Sequence, residues 1–294
     1  MDQTSKDKTA SYPRPPFKEQ TQPAPGLAKN MEPRPDHGET SYKGNGWLQG
    51  RKAIVTGADS GIGRAAAIAF AREGADVVLA YLREEQEDAD EVLALLQGEG
   101  HKVVPFVGGI SNEQTCQELV ATALRELGGL DLLANVAGMQ VACDDLEKIT
   151  TEQFDKTFRT NVYAMFWIIK AALPHLQEGS AIINTSSIQA ATPSATLVDY
   201  ATTKGAIMTF TKALAKQLAP KGIRVNAVAP GPIWTPLQPS GGQPPEKLPT
   251  FGKQSPFGRP GQPAEVAPVY VFLASHESSY VTGETYGVTG GNPL

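Results

Sequence analysis

Lys52-Ala53-Ile54-Val55-Thr56, Gly57-Ala58-Asp59-Ser60-Gly61-Ile62-Gly63 and Arg64-Ala65-Ala66-Ala67-Ile68-Ala69-Phe70 follow one another without a break. A β-branched apolar run gives way to a glycine-rich turn and then to an amphipathic, alanine-rich run, which reads as strand, tight turn and helix. The glycines at 57, 61 and 63 let backbone approach a ligand with no Cβ in the way. The helix start behind them offers free N–H groups and the positive end of a dipole to a phosphate. In that setting the turn is expected to hold a dinucleotide.

Working outward, the alternation continues. Val77 to Ala80, Lys102 to Val107, Leu130 to Ala134, Ala181 to Ile183 and Arg224 to Val228 read as further strands. Between them lie helical patterns over Glu84 to Gln97, Glu113 to Leu127 and Thr150 to Leu176, the last opening with Thr150 and Gln153 placed as a capping box. Six strands alternating with helices predict an α/β fold, a Rossmann-like doubly wound parallel sheet in a single domain spanning residues 47–294. Residues 1–46 differ. Pro13, Pro15, Pro16, Pro23, Pro25, Pro33 and Pro35 punctuate a polar stretch with too little apolar surface to order itself alone. It is either a loose tail or an extended arm laid across the core or a neighbouring subunit. The recurrence of Phe17, Met31, Tyr42 and Trp47 favours the arm.

Composition narrows the function. A formal net charge of −5 over 294 residues gives no electrostatic case for nucleic acid. Two cysteines suit a reducing, cytoplasmic setting, and four dispersed histidines show no metal-ligand spacing. No apolar run approaches the ~18 residues of a membrane span.

Chemistry concentrates between Ile182 and Lys204. A buried strand ends in the polar cluster Asn184-Thr185-Ser186-Ser187, and a helix follows that carries Tyr200 and Lys204 four residues apart on one face. An ammonium one turn from a phenol favours the phenolate, and a facing serine can bond a carbonyl or alcohol oxygen. A solvated helix face would carry the same Tyr-x-x-x-Lys pair, so the spacing alone leaves both readings open.

Taken in order, Thr56-Gly57-x-x-x-Gly61-x-Gly63, Asn135-Val136-Ala137-Gly138, Asn161, Ser187, Tyr200-x-x-x-Lys204 and Pro230-Gly231 resemble the short-chain dehydrogenase/reductase family over roughly residues 48–292. The segment Pro230 to Pro236 with the Ser240-Gly241-Gly242-Gln243 insert is similar to a narrower subgroup, the bacterial general-stress-type oxidoreductases with NADP-dependent aldehyde reductases among them. The resemblance implies Tyr200 as general acid in carbonyl reduction and base in alcohol oxidation. It implies Lys204 as the group that lowers the Tyr200 pKa and bonds the nicotinamide ribose, and Ser187 as the substrate-orienting hydroxyl. Asn161 would hold a proton-relay water. Gly57, Asp59, Ser60, Gly61, Ile62, Gly63, Tyr81, Arg83, Asn135, Ala137, Gly138, Pro230, Gly231, Ile233 and Thr235 would join Tyr200 and Lys204 in binding the cofactor. A homotetramer is implied as well, with the long helices after the fourth and fifth strands paired across subunits.

Three departures bear on the site. Val136 replaces the second asparagine usual after the fourth strand, which removes one supporting bond. Gly108-Gly109 stands where many members place an adenine-contacting aspartate, which predicts a looser adenine pocket. Tyr81, eighteen residues past Gly63, replaces the carboxylate that holds an NAD ribose. With Arg83 or Arg64 available to a 2′-phosphate, NADP(H) is expected over NAD(H), with NAD(H) use still open.

Residues 231–263 form a long Pro/Gly connection that reads as a substrate lid, or else as a rigid subunit-contact loop. Its apolar content (Trp234, Leu237, Leu248, Phe251, Phe257) suits a small aldehyde or ketone. Three functions stand at this point: reduction of small aldehydes or ketones with NADP(H), oxidation of a polyol or sugar such as glucose by the same residues, and a non-catalytic nucleotide sensor.

Overall fold

The computed structural model describes residues 12–294; the first eleven positions of the proline-rich segment lie outside the described residues. A seven-stranded, wholly parallel sheet runs in the order β3-β2-β1-β4-β5-β6-β7. Its strands are β1 Lys52–Thr56, β2 Asp76–Tyr81, β3 Val103–Val107, β4 Leu132–Asn135, β5 Ala181–Thr185, β6 Arg224–Pro230 and β7 Thr285–Val288. Helices α1 Gly61–Arg72, α2 Gln86–Leu96 and α7 Pro263–Ala274 contribute to one core layer, and α3 Glu113–Leu127, α5 Ala164–Ala172 and α6 Val198–Leu218 to the other. The central strands β1, β4, β5 and β6 are therefore almost wholly buried, as their unbroken apolar sequences require. Buried Ala65, Ala66, Ala67, Ala69 and Ala71 give α1 high helix propensity and a thin wall, so it packs close to the sheet and to α7. Among the described residues, no helix is long and apolar enough to cross a membrane.

The sheet exceeds the six strands read from sequence. Strand β7 is a half-exposed edge strand with Gly287 inside it, and such a segment carries almost no alternation to detect. Helix α7, which packs on α1, was equally unforeseen. The long helix expected over Thr150 to Leu176 is present from Thr151 to Ala172 without a break, but it is not uniform. Helix α4 covers Thr151–Phe158, a widened π turn covers Arg159–Tyr163, and α5 ends at Ala172. Only half of the capping box forms. Thr150 accepts the Gln153 N–H at 3.1 Å, but the Gln153 amide turns away to Asp199 Oδ2, a buried carboxylate that needs donors.

Residues 12–46 run as an extended arm over α1, α2 and the 231–263 connection. At one end Phe17 stacks on Trp234, ring centroids 4.3 Å apart, with Met31, Leu248 and Phe251 around them. The Trp234 indole donates to Pro33 O at 2.7 Å, and Phe17 N and Gln22 N donate to Pro249 O and Pro239 O. At the other end Asp88 accepts from Ala28 N and Lys29 N, and Arg72 donates to the carbonyls of Gly38, Glu39 and Tyr42. Glu73 Oε1 receives the Tyr42 hydroxyl, and its Oε2 receives the N–H groups of Asn45 and Trp47. Trp47 differs from the other aromatics of the segment: its ring is 45 % exposed and its backbone alone is tied down.

A brief protease digest of the native protein, mapped by mass spectrometry, should therefore leave the segment from about Tyr12 to Gly46 attached. Phe17→Ala removes the stacked ring and should make that segment the first point of cleavage while the rest stays intact.

Candidate active site

The sheet order makes the connections after β1 and β4 leave in opposite directions, which opens a crevice at the strands' carboxyl ends. Into it opens a cavity of about 910 Å³. Its floor at one end is the glycine turn. A Cβ on Gly63 would lie 2.0 Å from Gly57 O, so α1 can start this close to β1 only with glycine there. Gly57, at φ +64°, faces Ala137 across the crevice, where a Cβ would meet Ala137 Cα at 3.1 Å. Thr56 Oγ1 accepts both Val136 N and Ala137 N, at 2.9 and 3.1 Å, and ties the ends of β1 and β4 together.

Around Val136 the strand ends are held by other groups. The Val136 N–H is held by Thr56, while Asn135 Nδ2 donates to Asn184 Oδ1, which in turn donates through Nδ2 to Thr211. Asn135 O also accepts the Thr185 hydroxyl at 2.7 Å, and Tyr270 OH lies 2.6 Å from that same hydroxyl. Gly108 and Gly109 line the cavity, and Gly108 N donates to Tyr81 O.

At the other end stand Ser187, Tyr200 and Lys204, all buried and all facing the cavity. Ser187 closes β5 and hydrogen-bonds the Tyr200 phenol. Its Oγ also accepts Gln189 N at 3.1 Å, which fixes the hydroxyl's position. Asp199, at the start of α6, accepts from Gln153, Thr157 and Tyr200 N, and so anchors the turn that carries the phenol. Lys204 Nζ donates to Thr185 O at 2.8 Å and lies 5.3 Å from the centre of the Tyr200 ring. Asn161 sits in the π turn, where its amide accepts Met139 N and donates to Met139 O and Thr203 Oγ1. A Cβ on Gly138 would be 3.6 Å from both Asn161 Oδ1 and Lys204 Nζ, so these groups converge on one backbone segment.

The electrostatics differ from the sequence expectation. Burial pushes the Tyr200 phenol up to about 12, with the Ser187 hydrogen bond only partly opposing it, and burial pulls Lys204 down to about 7. Desolvation disfavours the charged form of each group, and the amine is directed to a backbone carbonyl. The neutral phenol is a proton donor.

Most residues singled out from sequence do line the cavity: Gly57, Asp59, Ser60, Ile62, Gly63, Tyr81, Ala137, Gly138, Ser187, Tyr200, Lys204, Pro230, Gly231, Ile233 and Thr235. Asn135 and Asn161 stand behind it, beside a smaller void. Neither Arg64 nor Arg83 stands on the cavity wall. Arg64 is buried and held by Glu39 and Glu91, so it is spent on the fold rather than presented to a ligand. Arg83 is exposed and does not line the cavity. Glu85, unforeseen, occupies that corner instead, beside Asp59; burial raises both carboxyls, with the Asp59 charge raising Glu85 further and the Asp88 charge raising Asp59. The lid's apolar content is also redirected, since Trp234 and Leu248 pack into the arm and only Leu237 and Phe251 reach the cavity. Sequence reasoning missed the carboxamides of Gln140, Gln189, Gln238, Gln243 and Gln254, the arm residues Ala24 to Gly26, and Asn292. No local pattern marks these; they meet only in the fold.

Comparisons with known proteins agree with this geometry. Residues 57–292 match a family model described as enoyl-(acyl carrier protein) reductase. The chain is 61 % identical over 280 residues, 94 % of each chain, to the uncharacterized oxidoreductase YhxD of Bacillus subtilis. It is 43 % identical to the glucose and ribitol dehydrogenase of Daucus carota, covering 94 % of this chain and 96 % of that one. Among solved structures, a short-chain dehydrogenase from Burkholderia cenocepacia in complex with NADP superposes with a TM-score of 0.78 at 32 % identity, over 83 % of this chain and 98 % of that one.

Lys204 gives a signed prediction. Its folded pKa, about 7, lies below the ordinary 10.5, so the unfolded chain holds the extra proton between those values and native stability rises with pH across that window. Lys204→Met removes a buried amine and should melt a few degrees above the parent at pH 6. That gain should shrink as the pH approaches 10, as differential scanning calorimetry would read.

Proposed function

From the premise that this chain belongs to the short-chain dehydrogenase/reductase family and is an NAD(P)-dependent oxidoreductase, we propose that it interconverts a small carbonyl compound and its alcohol, with Tyr200 moving the proton. The observation that carries this reading is the meeting of Ser187, the Tyr200 phenol and Lys204 at one end of a cavity whose other end is the glycine turn.

The fit to a dinucleotide rests on that cradle: Gly57 and Gly63 sit where a Cβ would collide with backbone, and Ser60, Ile62 and Gly63 bring the N-terminus of α1 to the cavity wall. Gly57 to Gly63, Tyr81, Asn135 to Gly138 and Pro230 to Thr235 would hold the cofactor, with Lys204 at the ribose. A bound nicotinamide supplies the hydride in reduction and accepts it in oxidation. The protein's own part is proton management. Ser187 Oγ bonds the carbonyl oxygen and holds it against the Tyr200 hydroxyl. Tyr200, protonated at neutral pH, donates as charge builds on that oxygen, and Lys204 stabilises the phenolate that results. Asn161 keeps Met139 and Gly138 in place beside them. NADP(H) is preferred, with NAD(H) also accepted: Tyr81 brings no charge to the end of β2, and the Asp59–Glu85 pair can share a proton.

A second reading, oxidation of a polyol or sugar, is favoured by the carboxamides. Gln140, Gln189, Gln238 and Gln243 give the cavity neutral donors and acceptors, and Gln238 Oε1 is buried without a hydrogen-bond partner, an acceptor that a hydroxyl would satisfy. The free thiols Cys116 and Cys143 suit a reducing cytoplasm. For assembly we propose a homotetramer. Phe154, Tyr163 and Phe166 are each about 40 % exposed along α4, the π turn and α5, and Val198 opens α6 with the same exposure, so large apolar groups stand open on the helices after β4 and β5.

NADPH oxidation against small aldehydes and ketones, run beside NADP-linked oxidation of glucose and ribitol, separates the two readings. Turnover of simple aldehydes supports the first, and activity confined to polyhydroxylated substrates supports the second. Tyr200→Phe should lose on the order of 10²-fold or more in kcat with NADPH binding unchanged, and retained turnover would exclude its role. Light scattering at four times the chain mass of 31.3 kDa would support the tetramer, and a monomer mass would exclude it.

A further inference from the structure

His37 belongs to the arm, twenty-four residues before the glycine turn, yet it is 1 % exposed and pressed against that turn. Gly61 N donates to His37 Nε2 at 3.2 Å. An acceptor at Nε2 places the ring proton on Nδ1, which lies 2.9 Å from Glu39 Oε1. Glu39 in turn accepts the His37 N–H and pairs with Arg64 on α1, and Arg64 pairs with Glu91 on α2. The imidazole is thus held in one tautomer and one orientation by groups from three segments. Burial holds it neutral, which the bond from Gly61 requires.

A helix cannot satisfy its own first N–H groups. In α1, Arg64 N already reaches Ser60 O, and Ser60 gives no side-chain cap. Gly61 N is directed away from the cavity to His37, and Gly61 is absent from the cavity wall while Ser60, Ile62 and Gly63 line it. We propose that His37 is a positioning residue of the dinucleotide site. By taking the Gly61 N–H from behind, it sets the rotation of the turn so that the N–H groups of Ile62 and Gly63 face the pyrophosphate. The arm is thereby part of the cofactor site although no arm residue need touch the phosphates.

This rests on the dinucleotide reading above, so the test begins with NADPH binding to the parent enzyme, followed by fluorescence; an absence of binding there would refute that reading before His37 is examined. His37→Ala should then weaken NADPH about tenfold while kcat at saturating NADPH stays within about twofold, the size of one lost hydrogen bond. His37→Gln, whose amide oxygen reaches the Nε2 position, should bind within about threefold of the parent, and His37→Asn, whose amide is too short, should behave as alanine does. Phe17→Ala loosens the far end of the arm and should leave NADPH affinity nearly unchanged. Equal Kd values for the glutamine and asparagine variants would overturn the proposal even if the alanine variant failed to fold. So would a Phe17→Ala loss as large as that of His37→Asn, which would make the effect one of arm docking alone.

Discussion

One hydroxyl holds the crevice to its shape. Where β1 and β4 end, their chains depart in opposite directions, and two parallel strands with nothing beyond them would fray. Thr56 Oγ1 takes N–H groups from Val136 and Ala137 at the point of divergence. Below it, Asn135, Asn184 and Thr211 form a buried chain of amides and hydroxyls across β4, β5 and α6. Such networks contribute most when every member is satisfied, because a buried unpaired polar group is expensive. The strand ends are therefore rigid at the place where backbone must face solvent or ligand.

Placement of Ser187, Tyr200 and Lys204 follows from that rigidity. Ser187 leaves β5 directly, and Lys204 returns to the end of β5 through the Thr185 carbonyl. Ser186 Oγ adds a bond to Lys204 O, so α6 is fastened to the strand at the residue that carries the amine. The π turn serves the same end on the other side, since it carries Asn161 to Met139 and Thr203 together. A widened turn is costly within a helix and is found where a side chain has to be re-aimed. Burial acts on both groups in the same sense, pushing the phenol up and pulling the amine down, each toward its neutral form.

Short-range grammar explains what was legible beforehand. The strand–glycine–helix unit, five further strands and the Ser187–Tyr200–Lys204 set each depend on neighbours within a few residues, and all lie where the pattern puts them. What escaped was long-range. Arg64 reads as a free cation at a helix start, and only the fold brings Glu39 and Glu91 against it. Asp199 reads as a first-turn acid, and only the packing of α4 on α6 turns it into an anchor. Glu85 and Asp59 are twenty-six positions apart and unremarkable singly. Strand β7 failed for a different reason: an edge strand with a glycine has little side-chain alternation to show.

The arm changes what counts as a unit of this protein. The family model begins at residue 57, and a boundary drawn there would cut the arm away. Yet the segment before it supplies Ala24 to Gly26 to the cavity wall, a stacking partner to Trp234 on the 231–263 connection and the acceptor behind Gly61. It spans the two ends of the cleft like a belt buckled at both sides. The match to YhxD takes in 280 residues and with them most of the arm, so what the near relatives share is the whole piece of chain that folds around its own cleft.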